Sequence, residues 1–199
     1  MKKGLLLIDI QNDFLPGGTL EVPEGDEVIP VANAFMEQPF DLIVATKDWH
    51  SESHGSFAAT HGKLPGEVID LYGIQQVLWP VHCVQGTFGA EFHLGLHRDK
   101  IHAVIHKGTD PHIDSYSAFF DNQRRQSTGL HELLQRYGIS HLSLLGLATD
   151  YCVKYSACDA LSLGYEVAIV ASGCRGVDLR AGDSATAFEL MKRLGATIE

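Results

Sequence analysis

Cys152 follows Gly146-Leu147-Ala148-Thr149-Asp150-Tyr151, where an apolar run gives way to capping residues and then to a helical pattern. Thr149 and Asp150 read as an N-cap pair, which places Cys152 in the first turn of the next helix. Unpaired backbone N–H groups there favour a thiolate and can hold an oxyanion. That is a nucleophile's position, and it is equally the position of an inert cysteine packed under a helix. Asp9 closes the apolar run Leu5-Leu6-Leu7-Ile8, and a carboxylate buried there is costly unless a cation pairs with it. Lys107 is the candidate cation. An Asp–Lys pair beside a thiol supplies a base and the charge that holds it, although the pair alone reads as well as a structural salt bridge. The three together favour an activated nucleophile.

A second constellation is Asp48-Trp49-His50, then His54, then His82 in Trp79-Pro80-Val81-His82-Cys83. Residues two apart in an extended chain point the same way, so Asp48 and His50 can ligate one ion, with His54 brought back by a loop and His82 arriving from a remote segment. One carboxylate and three imidazoles suit Zn, Fe or Mn better than Ca or Mg. The chain holds 11 histidines, so chance clusters form easily and D-x-H alone is weak. Plainer readings fit the remaining polar residues. His93, His97 and His102 read as surface or loop histidines, and Arg124-Arg125 as a solvated helix start. Trp49 either walls the metal site or packs in the core. His131-Glu132-Leu133-Leu134-Gln135 begins like a zincin motif but has Gln135 where the second His must stand. Cys83, Cys158 and Cys174 read as packed thiols, with no CxxC pair and no secretory leader to suggest disulfides.

Four runs end close to these residues, and a parallel sheet would bring such ends to one edge. The apolar runs Gly4–Ile10, Asp41–Thr46, Ile101–His106, His141–Leu147 and Glu166–Ala171 read as strands buried on both faces. Between them Glu27–Glu37, Gly129–Tyr137, Cys152–Leu163 and Ala185–Leu194 carry apolar residues at helical spacing. Gly138, Gly164 and Gly195 stand just past three of these, where a left-handed residue ends a helix. The pattern predicts one α/β domain over residues 1–199, with three α/β/α layers around a mostly parallel sheet. Trp49–Gly73 and Trp79–Gly95 have no clean period and read as long ordered loops anchored by Trp49, Phe57, Trp79, Phe88 and Phe92.

At 199 residues, 45% hydrophobic and 20% charged, the chain has ordinary globular composition and the size of one domain. Lys plus Arg number 15 against 25 Asp plus Glu, a formal charge of −10, which argues against nucleic acid as a partner. The longest apolar run near the start is too short for a signal peptide or a membrane span, so a cytoplasmic protein is expected. Dinucleotide, P-loop and G-x-S-x-G signatures are all missing.

Five separated stretches, taken in order, strongly resemble the pyrazinamidase/nicotinamidase branch of the isochorismatase-like cysteine hydrolases. They are Leu7-Ile8-Asp9-Ile10-Gln11-Asn12-Asp13-Phe14; Thr46-Lys47-Asp48-Trp49-His50 with His54 and Ser56-Phe57; Trp79 to Thr87; His106-Lys107-Gly108; and Gly146 to Val153. The resemblance implies a catalytic triad of Asp9, Lys107 and Cys152, and metal ligands Asp48, His50, His54 and His82. It implies one divalent transition-metal ion, zinc ahead of iron or manganese. It also implies substrate contacts from Phe14, Leu20, Trp79, Tyr116 and Tyr151, and a cis peptide between Leu147 and Ala148 that presents the Ala148 N–H, with that of Cys152, as an oxyanion site. The implied activity is hydrolysis of nicotinamide, and of pyrazinamide, through a thioester, in NAD salvage, by a monomer or homo-oligomer. The competing readings are a sibling hydrolase acting on isochorismate, a carbamoyl compound or a ureide, and a catalytically silent metal-binding protein.

Overall fold

The structure is a computed structural model describing residues 1–199. In chain order the strands are β1 Lys2–Ile8, β2 Leu42–Asp48, β3 Val68–Leu71, β4 Ile74–Val77, β5 Ala103–Lys107, β6 Ile139–Leu147, β7 Glu166–Arg175 and β8 Thr197–Ile198. The helices are α1 Val28–Met36, α2 Leu130–Tyr137, α3 Lys154–Ser162 and α4 Asp183–Arg193. Six strands form one sheet in the order β5-β2-β1-β6-β7-β8, with every pairing parallel. The chain therefore starts at β1, steps outward to β2 and β5, then returns to the other side of β1 with β6. That reversal makes the carboxyl ends of β1 and β6 the switch point where an open α/β sheet forms its crevice. Right-handed crossovers to opposite sides of the switch point put α1 on one face and α3 with α4 on the other. The result is the three-layer arrangement expected.

Leu5, Leu6, Leu7 and Ile8 on the central strand are buried, which is why β1 reads as an unbroken apolar run. Not every strand shares that environment. β5 is at the sheet edge and alternates half-buried with exposed residues, Val104 being 42% exposed, so burial on both faces does not hold for it. The long segment after β2 is also less irregular than its composition suggests. It contains the antiparallel hairpin β3–β4, closed by Tyr72 and Gly73, both at positive φ. That is the geometry of a two-residue turn matched to strand twist. The hairpin was not visible in the sequence because Tyr-Gly is a weak turn signal and each strand is only four residues long. Phe57, Trp79 and Phe92 do anchor the loops, but Phe88 is 74% exposed and anchors nothing.

Regular geometry breaks down where β1 and β6 end. Asp9 has φ +50°, and β6 slips register against β7 between Leu144 and Gly146. Gly146 has φ +130°, and a Cβ there would lie 2.1 Å from the Ile8 carbonyl oxygen. Only glycine lets the two strand ends approach so closely. The next peptide bond, Leu147–Ala148, is cis.

Candidate active site and metal centre

Each candidate catalytic side chain is set by the end of a strand. Asp9 leaves β1 fully buried; its Oδ1 accepts the Thr46 hydroxyl at 2.6 Å, and the hydroxyl oxygen accepts the Asp9 N–H at 3.2 Å. Lys107, the last residue of β5, brings its ammonium to 2.8 Å from Asp9 Oδ2. The same ammonium also bonds Asp48 at the end of β2, donates to the Ser115 carbonyl at 3.0 Å, and lies 3.3 Å from Cys152 Sγ. Sequence reasoning paired Lys107 with Asp9 alone. Its second carboxylate was missed because β2 and β5 are 59 residues apart at that contact, and only their parallel register, Asp48 beside Lys107, joins them.

Cys152 does not begin a regular helix. It sits in a π-helical turn, Thr149–Val153, that runs into α3, and single π turns recur at functional positions. The expected N-cap is also absent. Ala148 takes the cap position with no side-chain hydrogen bond, while Asp150 accepts the N–H groups of Val177 and Asp178 at 3.0 and 2.8 Å. Nor is the thiol acidified. Burial, aided by the charges of Asp9 and Asp48, pushes it well above its ordinary value and outweighs the Lys107 ammonium. The resting sulfur is thus a neutral thiol that needs a base. Burial also raises the Asp9 carboxyl, with Lys107 working against that rise. For Asp48 burial pushes upward too, but Lys107 and His50 prevail and hold its carboxyl well below the usual range.

Beyond Asp48 the imidazoles gather. His50 Nε2 is 3.6 Å and His82 Nε2 3.7 Å from Asp48 Oδ2. His50 Nδ1 bonds the Gly108 carbonyl at 2.9 Å, and His82 Nδ1 bonds the Pro80 carbonyl at 2.8 Å. A carbonyl only accepts, so both Nδ1 atoms carry protons, and in the neutral rings both Nε2 atoms present lone pairs. The His50 Nε2 atom is buried with no hydrogen-bond partner, an arrangement that a cation would satisfy. The donor atoms of Asp48, His50 and His82 lie within 4.8 Å of one another. One carboxylate and two pre-oriented imidazoles fit a divalent transition metal with open positions.

His54 stands apart from this trio. It is buried against the His50 ring, at 4.3 Å between centroids, but its Nδ1 pairs with Ser56 Oγ and its Nε2 with the Asp110 carbonyl, each at 2.8 Å. Burial lowers its pKa to about 4. Both nitrogens are engaged in the loop, and the ligand atoms of His54, His50 and Asp114 also lie within 4.8 Å of one another, a second group that could hold a cation. Gly108, at φ +63°, allows His50 its orientation, because a Cβ would meet the ring at 2.3 Å. Trp49 faces away from the trio and stacks on His106 at 4.7 Å. Cys83 is a buried thiol whose N–H donates to Asp13 at 2.7 Å. Arg124 lies in a turn bonded to Asp159, well before α2, rather than at a helix start.

Cys152, Ala148, Asp48 and His82 open on one narrow cavity. Phe14, Leu20, Trp79, Tyr116 and Tyr151 all line it, as do Asp114 and Val177, which the sequence did not suggest. Trp79 stands edge-on to Tyr151 at 4.8 Å and donates its indole N–H to the Tyr116 hydroxyl at 3.1 Å. An aromatic slot with a thiol and a metal-ligand cluster among its lining residues suits a flat ring bearing an electrophilic carbon.

Comparison with known proteins agrees with this geometry. The isochorismatase domain family matches residues 3–199. A nicotinamidase of Escherichia coli is 50% identical over 199 residues, covering 98% of this chain and 93% of that one. A solved nicotinamidase and pyrazinamidase from Acinetobacter baumanii superposes with TM-score 0.95 at 41% identity, covering 99% of this chain and 95% of that one. A pyrazinamidase of Pyrococcus horikoshii, solved in complex with zinc, gives 0.81 at 37% identity over 100% of this chain and 99% of that one.

Proposed function

The chain belongs to the isochorismatase domain family, and from that footing we propose that residues 1–199 form one metal-dependent cysteine amidohydrolase converting nicotinamide to nicotinate and ammonia. Pyrazinamide is proposed as a second substrate and NAD salvage as the setting. The observation that carries the reading is Lys107. Its ammonium contacts Asp9 and Asp48 and lies 3.3 Å from Cys152 Sγ, so nucleophile, base and metal-ligand cluster share one cation, and Cys152, Asp48 and His82 line one cavity.

In this reading Asp9 takes the Cys152 proton as the sulfur attacks the carboxamide carbon, and Lys107 holds the paired charge. The N–H groups of Ala148 and Cys152 receive the developing oxyanion. Asp9 then returns its proton to the nitrogen, ammonia leaves, and a thioester to Cys152 remains. A water that loses a proton to Asp9 attacks this ester, the C–S bond breaks, and the sulfur recovers its proton as the acid departs. The raised carboxyl of Asp9 suits a group that gives and takes a proton in turn. Asp48, His50 and His82 would hold the divalent ion, proposed as zinc, which supplies a coordination position for the pyridine nitrogen. Phe14 and Trp79 flank the ring, with Leu20, Tyr116 and Tyr151 completing the slot.

The zinc complex of the Pyrococcus horikoshii relative supports the metal. A hydrolase of isochorismate, carbamoyl compounds or ureides would leave the trio around Asp48 without a role. The four cysteines are all free thiols, which suits a reducing, cytoplasmic setting. No helix is long and apolar enough to cross a membrane. The test is turnover of nicotinamide, a carbamoyl amide and isochorismate, read as ammonia release from the two amides and as pyruvate release from isochorismate, with and without added Zn, Fe or Mn, and with Cys152→Ala as control. Turnover of nicotinamide alone, lost in the variant, is expected. Full activity in Cys152→Ala would remove the nucleophile assignment.

A further inference from the structure

We infer that Gln76, on the hairpin strand β4, is a positioning residue that fixes the aromatic wall of the cavity by holding the Tyr116 hydroxyl and, through it, the Trp79 indole. The inference rests on the cavity being the carboxamide site proposed above. Gln76 is 1% exposed, although the hairpin carries Val68 at 54%. Its amide nitrogen lies 2.8 Å from the Tyr116 hydroxyl, 2.7 Å from the Val77 carbonyl and 3.4 Å from Asp114 Oδ2. Its amide oxygen faces Asn122 Nδ2 at 3.5 Å. A carbonyl and a carboxylate can only accept, and an amide NH₂ can only donate, so the neighbours fix which end of the Gln76 amide is which.

The Tyr116 hydroxyl therefore receives two donors, Gln76 Nε2 and Trp79 Nε1, and both of its lone pairs are used. One oxygen ties the hairpin to two rings of the slot, and Tyr116 in turn stands edge-on to Tyr151 at 5.3 Å. The partners of Gln76 include none of Asp9, Lys107 and Cys152. Loss of the amide should loosen ring binding and leave the chemical step alone, which appears in KM and not in kcat.

The experiment is steady-state hydrolysis of nicotinamide by the metal-loaded wild type, Gln76→Met, Tyr116→Phe and the double variant, with thermal melts alongside. Each single change is expected to raise KM about tenfold with kcat within about twofold. The double variant should be no worse than the worse single, since both remove the same bond. Additive KM effects, or equal losses in kcat and KM, would show that Gln76 is only a structural tie and overturn the inference. Should Gln76→Met fail to fold, Gln76→Asn decides instead, because it keeps a buried amide but draws it back from the Tyr116 hydroxyl: a raised KM with kcat kept upholds the inference and an unchanged KM ends it. A wild-type protein that releases no ammonia refutes the functional reading and takes this inference with it, whereas an active wild type with indifferent variants refutes the inference alone.

Discussion

Asp9 and His54 show how burial decides what a side chain can do. A base must be ionised in the free enzyme, so kcat/KM should fall as pH drops through the Asp9 pKa. Burial raises that pKa from its ordinary 3.8, so the acid limb of a pH–rate profile is expected with a midpoint above 3.8; a midpoint below it would argue against Asp9 as the base. His54 has both ring nitrogens committed to Ser56 and Asp110, whereas His82 has Nε2 near Asp48. His82→Ala should weaken zinc binding about 10- to 100-fold or more, and His54→Asn by no more than about threefold, as read by titration against a chromogenic chelator. An equal loss in both would restore His54 to the ligand set. Asp9 was legible because a carboxylate in an apolar run is costly without a partner, whereas Lys107, Cys152, Asp48, His50 and His82 were read from their places just past apolar runs, from spacing and from the family resemblance. What the sequence could not show was which nitrogen of each histidine a neighbouring carbonyl or hydroxyl would occupy, and here Ser56 and Asp110 occupy both nitrogens of His54.

The elements that carry these residues were legible to different degrees. Long apolar runs such as Leu5–Ile8 and Leu142–Leu147 marked β1 and β6, since strands covered on both faces have no polar alternation to blur them. The hairpin β3–β4 escaped notice because four-residue strands leave too short a pattern. The cap at Thr149-Asp150 was misjudged because Asp150 finds better donors in the backbone of Val177 and Asp178, a pairing across 27 and 28 residues that no local rule foresees. Gly146 is the most constrained joint between elements. Gly146→Ala would set a methyl 2.1 Å from the Ile8 carbonyl in a backbone conformation that L-residues avoid. It is expected to destabilise the fold by about 3 kcal/mol or more, measured by urea unfolding. A loss under about 1 kcal/mol would mean that the two strand ends can part without cost.

For the molecule as a whole, a metal bound to Asp48, His50 and His82 links residues that arrive from two remote segments, so occupancy should appear in global stability. An ion present at a hundredfold over its Kd adds about 2.7 kcal/mol. Chelation is therefore expected to lower the melting temperature by several degrees, with zinc restoring it and magnesium having no effect. An unchanged melt after verified metal removal would contradict the site. The order β5-β2-β1-β6 has one more consequence. Four neighbouring strand ends carry Lys107, Asp48, Asp9 and the approach to Cys152, and hydrogen-bonded strands keep a pitch of about 4.8 Å. The lateral reach of the chemistry is thus ruled off by backbone, about 14 Å over three intervals, and no side-chain exchange can widen it. A variant made to accept a bulkier amide would have to find its room above the sheet, in the hairpin and the segments around Phe14 and Tyr116, while the graduations beneath stay as they are.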